Sequence, residues 1–276
     1  MIYPQKLKKN DKVAIIAPSS SMHGLSKARL NRAAKLLRSL GLLPVYGKNL
    51  KEADRFKSSS VKARLEDLNW AFGDPTIKAV MCVTGGYSAN QLLNFIDWKL
   101  IKANPKIFCG YSDITILCAA IAQKTGLVTY YGPNLLSLGV RKTINYTSEY
   151  LRKVFFVNDW ADISPSKRWS DDDLKIVRNR GPFVIREGRA TGTANGGNLG
   201  TVFLLQGTKY FLGYSKNTIL FVEDDDLVGK WTPQEFDRRL RSLFQQTGSN
   251  NIRVVLIGGE TRIAATSRSI KIELKY

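Results

Sequence analysis

The sequence is poor in histidine, cysteine and methionine, and these shortages narrow its chemistry. Its 276 residues include three cysteines, three methionines and one histidine. Cys82, Cys109 and Cys118 sit among apolar neighbours and form no Cys-x-x-Cys or Cys/His spacing. Such cysteines favour buried, reduced thiols over disulfides or metal ligands. We therefore expect neither a metal site nor a cofactor.

Long apolar runs are also missing. The best ones, residues 14–17 and 117–122, are far shorter than the roughly 18 apolar residues of a membrane-spanning helix. Residues 1–6 lead into a strand-like segment without the apolar stretch and small-residue cleavage site of a secretory signal. We expect a soluble, cytoplasmic chain with no membrane partner.

Acidic residues are few relative to basic ones. There are 23 Asp and Glu against 42 Lys and Arg, which gives a formal net charge of +19. An excess of this size raises nucleic acid as a partner. The basic residues are scattered, however, and no basic arm, zinc-finger or RNP signature accompanies them. A generally basic surface is therefore favoured over a nucleic-acid partner, and a milder hypothesis is that the charge attracts anionic substrates.

The first part of the chain alternates short β-like runs with amphipathic helical segments. This pattern is typical of a mostly parallel sheet covered by helices on both faces. It predicts strands at 12–17, 43–46, 77–83, 106–110 and 127–131, and helices at 25–40, 61–72, 89–96 and 113–124. We assign these units to an N-terminal α/β domain over residues 1–157.

The character changes after residue 157. Residues 158–182 are polar and contain tryptophan without clear periodicity, which predicts a linker or a substrate-covering loop. A smaller C-terminal α/β domain is expected over residues 183–276. Its predicted strands lie near 184–193 and at 218–222 and 253–257, and its helices follow residue 198 and span 233–246.

A serine follows the predicted strand at 106–110, at the edge where reactive groups lie in parallel sheets. In the turn Gly-Tyr-Ser-Asp, Gly110 permits a sharp bend and Ser112 has the setting of a nucleophile elbow. The alternative is that Ser112 only caps the next helix, and the turn by itself favours that alternative.

Two further turns supply candidate partners. Gly85 and Gly86 follow the strand at 77–83 and would let a backbone N–H approach a ligand, although such a pair usually marks only a tight loop. With the amide of Asp113 they would form an oxyanion hole. Glu223 ends an apolar strand and opens a run of four carboxylates. Such a run is ordinarily a solvated loop, and the sharper hypothesis is a partly buried acid that orients an imidazole.

Together, these segments resemble the family of LD-carboxypeptidases and microcin C immunity enzymes. Any one motif is common, but their ordered combination is specific. The matching stretches are residues 17–20, 84–93, 104–115, 131–133, 192–199, 205–208 and 220–224. The resemblance implies a serine peptidase with Ser112 as nucleophile, Glu223 as triad acid, the amides of Gly85 or Gly86 and Asp113 as oxyanion hole, and Trp169 and Asn198 at the substrate.

The implied substrate is a short peptide or a peptidyl nucleotide. It would be a murein tetrapeptide cut at its terminal L,D-amide bond, or a microcin-like antibiotic cut between its aminoacyl and nucleotide parts. The resemblance also implies a homodimer, although no dimer face can be identified in the sequence.

The chain departs from the family pattern at the histidine of the triad. In the family this residue lies in a Gly-His segment beyond the strand that here ends at Gly258. The residues after Gly258 show no such segment, and the only histidine is His23. We therefore expect an incomplete C-terminal domain and impaired catalysis, because a serine hydroxyl needs a positioned base. His23 follows the first strand on the same sheet edge as Ser112, but an ordinary surface histidine is the favoured explanation. A binding-only relative and a nucleic-acid binder stay open as rivals to the carboxypeptidase.

Overall fold

A computed structural model describes residues 1–140, 145–157, 163–170, 175–181, 184–185, 188–224, 228–258, 265–266 and 269–273. Its strands are β1 (Lys12–Ile16), β2 (Leu43–Tyr46), β3 (Ile77–Cys82), β4 (Ile107–Gly110), β5 (Tyr130–Tyr131), β6 (Arg168–Trp169), β7 (Val177–Arg178), β8 (Arg189–Asn198), β9 (Thr218–Glu223), β10 (Ile252–Gly258), β11 (Ala265–Thr266) and β12 (Ser269–Glu273). Its α-helices are α1 (Lys27–Ser39), α2 (Val61–Gly73), α3 (Trp98–Ala103), α4 (Thr115–Thr125), α5 (Asn145–Phe156), α6 (Leu199–Phe203) and α7 (Thr232–Phe244).

The larger sheet contains five parallel strands. Their order is β2-β1-β3-β4-β5, and β11 pairs antiparallel with β5 at the edge. Successive residues of β1 point to opposite faces, so that Ala14 and Ile16 join one apolar cluster while Val13 and Ile15 join another. The sheet is therefore buried on both faces by helices, as its near-continuous apolar strands require.

The helices of this half follow from local signals. In α1 the residues Leu30, Ala33 and Leu37 recur at helical spacing and are buried. The helix begins after Ser26, whose Oγ accepts a hydrogen bond from the N–H of Arg29. Within the described residues, no helix is both long and apolar enough to cross a membrane.

The smaller sheet has the order β10-β9-β8-β12, with β12 antiparallel to the other three. Helices α6 and α7 pack on it around Leu199, Leu220 and Leu243. The strands β8 and β9 run in register up to the pair Asn198 and Glu223, so these two residues end side by side.

The predicted α/β class is confirmed, and most predicted elements lie within a few residues of the observed ones. The strand predicted near 184–193 instead spans Arg189–Asn198, because its glycines lie inside the strand rather than in a turn. A Cβ on Gly192 or Gly196 would lie 1.7 Å from a carbonyl oxygen of the neighbouring chain segment. The helix predicted at 89–96 is a short 3-10 turn over Ala89–Leu92.

The segment 158–182 is described only in part. It contains the small hairpin β6-β7, and Trp160 and residues 171–173 lie outside the described residues. Residues after Gly258 contribute β11 to the larger sheet and β12 to the smaller one. The division at 157 and 182 stays a prediction.

Candidate active site

Ser112 lies where β4 turns into α4, in a strained conformation. Its φ of 62° belongs to the left-handed region, which is rare for residues other than glycine. Neither the 3-10 turn at Ser112–Ile114 nor α4 has a side-chain cap, so Ser112 does not act as the helix cap considered above. Within the part of the chain that the structure describes, no hydrogen bond to Ser112 Oγ is found, and the residue is half-buried.

The sharp turn requires the glycine before it. A Cβ on Gly110 would lie 2.7 Å from Ile114 Cγ2 and 2.9 Å from Asn134 Oδ1. The buried Asn134 side chain in turn accepts a hydrogen bond from the N–H of Tyr111 at 3.4 Å. The local sequence therefore bends the chain tightly and supports the bend from the next loop.

Gly85 contacts Ser112 directly. A Cβ on Gly85 would lie 2.9 Å from Ser112 Cβ, 3.0 Å from Ser112 Oγ and 3.5 Å from the backbone N of Asp113. Gly86 contacts a different loop, because a Cβ there would lie 2.4 Å from Ser19 Oγ. Its φ of 146° also favours glycine. The structure thus brings Gly85, Ser112 and the Asp113 amide together, while Gly86 packs against the loop after β1.

The side chain of Asp113 joins these loops. Its buried carboxylate accepts hydrogen bonds from Ser19 Oγ at 2.6 Å and from the N–H of Ala89 at 2.9 Å. Behind it the buried guanidinium of Arg64 donates to the carbonyls of Pro18 at 3.1 Å and Ser88 at 2.9 Å. Burial lowers the pKa of Arg64, and the charges of Asp54 and Asp113 act in the opposite direction. Asp113 and Arg64 therefore tie the loops after β1 and β3 to each other, and Asp113 ties both to the turn that carries Ser112.

Glu223 reaches the same site from the smaller sheet. Its Oε1 accepts a short hydrogen bond from the phenol of Tyr131, and the N–H of Ser112 donates to that phenol oxygen at 3.2 Å. Burial and the charge of Glu223 raise the pKa of Tyr131 well above its ordinary value, so the phenol stays protonated. Glu223 is half-buried, as the sequence predicted, and Tyr131 links it to the serine turn.

The remaining predicted residues have different surroundings. Asn198 is buried, and its Oδ1 caps α6 by accepting from the N–H and hydroxyl of Thr201 at 3.0 and 2.9 Å. Trp169 is a half-buried residue of the hairpin β6-β7. His23 is exposed, and among the described contacts no hydrogen bond joins its imidazole to Ser112. The described residues also contain no His, Cys, Asp and Glu group able to hold a metal ion.

The left-handed Ser112 therefore follows a parallel strand directly, lies close to Gly85 and the amide of Asp113, and is joined through Tyr131 to the half-buried Glu223. Residues 13–132 match the LD-carboxypeptidase N-terminal domain, and residues 191–274 match the LD-carboxypeptidase C-terminal domain. The chain therefore belongs to the LD-carboxypeptidase family. The second match includes the residues after Gly258, contrary to the expectation that they have no counterpart in the family.

Individual relatives agree with this assignment. YocD of Bacillus subtilis, provisionally named a carboxypeptidase, is 43% identical over 264 residues, which cover 93% of this chain and 80% of YocD. The microcin C7 self-immunity protein MccF of Escherichia coli is 32% identical over 231 residues, which cover 78% of this chain and 66% of MccF.

Solved structures are similar over nearly the whole chain. An MccF-like protein from Bacillus anthracis has a TM-score of 0.91 and 42% identity, covering 95% of this chain and 82% of that one. MccF in complex with aspartyl sulfamoyl adenosine has a TM-score of 0.80 and 25% identity, covering 100% of this chain and 99% of that one.

Several residues of the site are absent from the sequence-based prediction. Hydrogen bonds of the site are formed by Tyr131, Thr115, Ser19 and Arg64. In the sequence, the first three are distinguished only because they lie in stretches that match the family, and Arg64 only because it lies in an amphipathic helical segment. The one available signal is that Tyr131 ends the strand next to β4, where its side chain can meet the serine turn.

Proposed function

We propose that this chain is a serine carboxypeptidase that hydrolyses the L,D-amide bond at the C-terminus of a murein tetrapeptide. Membership of the LD-carboxypeptidase family supports a peptidase of the carboxypeptidase type. The observation that carries the finer proposal is the left-handed Ser112 between Gly85 and the Tyr131–Glu223 pair. Such strain persists where surroundings over-determine it, and it is found at active sites.

The proposed reaction follows from these positions. Ser112 Oγ attacks the carbonyl carbon of the scissile amide, and its proton passes to a base and then to the departing amine. The negative oxygen that forms would accept hydrogen bonds from the backbone N–H groups of Asp113 and of Gly85 or Gly86. The C–N bond breaks, the terminal amino acid leaves, and water then hydrolyses the acyl-serine.

The mechanism requires a base that takes the proton of the Ser112 hydroxyl. Losing the base of a Ser-His-acid triad leaves only about 10³- to 10⁴-fold acceleration over water in serine proteases. Because His23 is the one histidine of the 276 residues and is exposed, a binding-only function is the second candidate. Such a protein would hold the peptide in the same cleft without cutting it.

A third candidate concerns the substrate rather than the chemistry. Hydrolysis of a peptidyl nucleotide of the microcin type is supported by the likeness to MccF and to its complex with aspartyl sulfamoyl adenosine. The +19 charge suits either anionic substrate. Substrate contact by Trp169 and Asn198, a cytoplasmic location and a homodimer stay predictions.

The deciding experiment compares three proteins with a murein tetrapeptide and with a peptidyl nucleotide. We expect the wild type to release D-alanine from the tetrapeptide, Ser112→Ala to release none, and Ser39→Ala to match the wild type. Ser39 is exposed, and its Oγ donates to the carbonyl of Leu36 in its own helix at 2.8 Å, which makes it a suitable control. Full release by Ser112→Ala would remove this serine from the mechanism.

The same assay separates the rivals. Faster cleavage of the peptidyl nucleotide would favour the microcin-type activity. Tight binding of either compound without turnover in the wild type would favour the binding-only function. His23→Ala tests that imidazole as the base, and an unchanged rate would exclude it.

A further inference from the structure

We propose that Tyr131 is a positioning residue that, with Thr115, holds the backbone N–H and carbonyl of Ser112 and ties the serine turn to Glu223. The proposal deepens the proposed function and rests on it for its catalytic consequence. Its structural part, a hydroxyl on each side of the serine, stands on contacts between described residues.

Both polar groups of the Ser112 backbone are held by hydroxyls. The N–H of Ser112 donates to Tyr131 Oη at 3.2 Å, and its carbonyl oxygen accepts from Thr115 Oγ1 at 2.6 Å. Tyr131 and Thr115 are both buried. Because a non-glycine residue with φ of 62° is unfavourable by itself, these two bonds act directly on the strained position.

Each hydroxyl also reaches the smaller sheet. Tyr131 Oη donates to Glu223 Oε1, and Thr115 Oγ1 accepts from the N–H of Asn198 at 3.1 Å. Asn198 and Glu223 are register partners at the ends of β8 and β9. Two parallel hydroxyl bridges therefore connect the serine turn of one sheet to adjacent strand ends of the other.

The directions of these bonds follow from the groups involved. An N–H group can only donate, so Tyr131 Oη must accept from Ser112, and its single hydrogen is left for the carboxylate of Glu223. A tyrosine therefore satisfies both neighbours at once. A phenylalanine would satisfy neither.

Close packing around both bridges limits any adjustment. The Tyr131 ring lies 5.4 Å from the Phe221 ring and 6.4 Å from the Tyr111 ring, centroid to centroid. A Cβ on Gly197 would lie 2.5 Å from Thr115 Cγ2, so the smaller sheet approaches Thr115 as closely as a glycine allows. Within the described residues Tyr131 makes no hydrogen bond to Ser112 Oγ, which is why we assign positioning rather than a catalytic role.

The test is Tyr131→Phe, with Tyr130→Phe as matched control. The control deletes the same hydroxyl one residue away on the opposite face of β5, where the Tyr130 ring meets the Phe155 ring edge-on at 5.5 Å. We expect Tyr131→Phe to lower kcat about 10- to 100-fold through misplacement of the serine, with KM changed less than about twofold. Exchange of the Ser112 amide hydrogen should accelerate at least about tenfold. Tyr130→Phe should alter none of these.

A second pair of variants tests the other bridge. Thr115→Val removes the hydroxyl at nearly constant volume, and Thr115→Ser keeps it. We expect Thr115→Val to lower kcat and Thr115→Ser to restore most of it, a rescue that lost packing alone would not produce.

The outcomes separate the two proposals. Wild-type kcat and Ser112 amide exchange in Tyr131→Phe would overturn the positioning role, as would an equal loss in Tyr130→Phe. Unchanged release by Ser112→Ala would overturn the proposed function alone. If the protein binds its ligand without turnover, the exchange rate of the Ser112 amide hydrogen alone tests the positioning role of Tyr131.

Discussion

Replacing Gly85 with alanine would crowd Ser112 directly. The added methyl carbon would lie 2.9 Å from Ser112 Cβ and 3.0 Å from Ser112 Oγ. Non-bonded carbon atoms are at their optimum at about 3.5–4.0 Å, so the two residues must separate by roughly 0.6 Å or more. Gly85 is not one of the glycines with positive φ, which means that the backbone conformation itself accepts alanine. The whole effect should therefore come from crowding of Ser112.

The structure sets the expected magnitude of that effect. Overpacking of a buried position typically costs about 1–3 kcal/mol of unfolding free energy. Displacement of a catalytic group by an ångström can lower the rate by about 10²-fold. Gly85 is buried and Ser112 is already strained, so we expect Gly85→Ala to show both effects. The unfolding free energy should fall by about 2 kcal/mol, and kcat should fall by about 10²-fold.

Urea unfolding and D-alanine release are the measurements, and Gly213→Ala is the control. Gly213 has no atom within 4 Å of an added Cβ and no positive φ, so its replacement should leave both quantities nearly unchanged. If Gly85→Ala unfolds at the wild-type urea concentration and turns over normally, the inferred contact between Gly85 and Ser112 is wrong.

Two further predictions concern buried cations away from Ser112 Oγ. Arg64→Met should cost about 3 kcal/mol by chemical denaturation, because it removes the guanidinium donor from the carbonyls of Pro18 and Ser88 in the loops after β1 and β3, whereas the exposed Lys62→Met should cost almost nothing. Lys106 donates to the carbonyls of Ala71 and Asp74, and burial lowers its pKa from 10.5 to about 8. The unfolded chain therefore binds more protons between these values, so the stability contribution of Lys106 should rise with pH from about 8 to 10.5. Lys106→Met should lack that rise in urea unfolding measured across the same range, and a parallel pH profile would contradict the assignment.

Much of the fold could be predicted because its signals are local. The strand β2 has the predicted bounds, and β9 differs by one residue, since apolar runs bounded by turns identify such strands. Helix α5 was not predicted. Its buried residues Tyr150, Leu151 and Phe155 include aromatic side chains that also favour strands, and packing against the larger sheet decides the outcome.

The C-terminal strand β12 shows a different limit. Its sequence Ser-Ile-Lys-Ile-Glu alternates polar and apolar residues, as a half-buried strand should. Short motifs do not identify it, yet it lies within the match to the family's C-terminal domain and pairs with β8, about 80 residues earlier in the chain. A pairing over that distance has no local signal in one sequence.

In the candidate site, contacts between neighbouring strands could be predicted from the sequence, and the contact between the two sheets could not. Ser112, Gly85 and the Asp113 amide were predicted to meet because they follow β3 and β4, which a series of βα units makes neighbours. The link from Tyr131 to Glu223 depends on how the second sheet packs on the first, and that geometry has no counterpart in sequence spacing.

This link changes how the acidic residue should be understood. That Glu223 orients an imidazole stays a prediction, and its carboxylate also accepts a hydrogen bond from a phenol that holds the serine backbone. An ionised carboxylate offers about four acceptor directions, so one bond from Tyr131 leaves the predicted role chemically compatible. The phenol would then set the carboxylate's orientation before any base approaches. For that reason Tyr131→Phe should impair catalysis even where Glu223 itself is intact, which an acid acting independently of its surroundings would not predict.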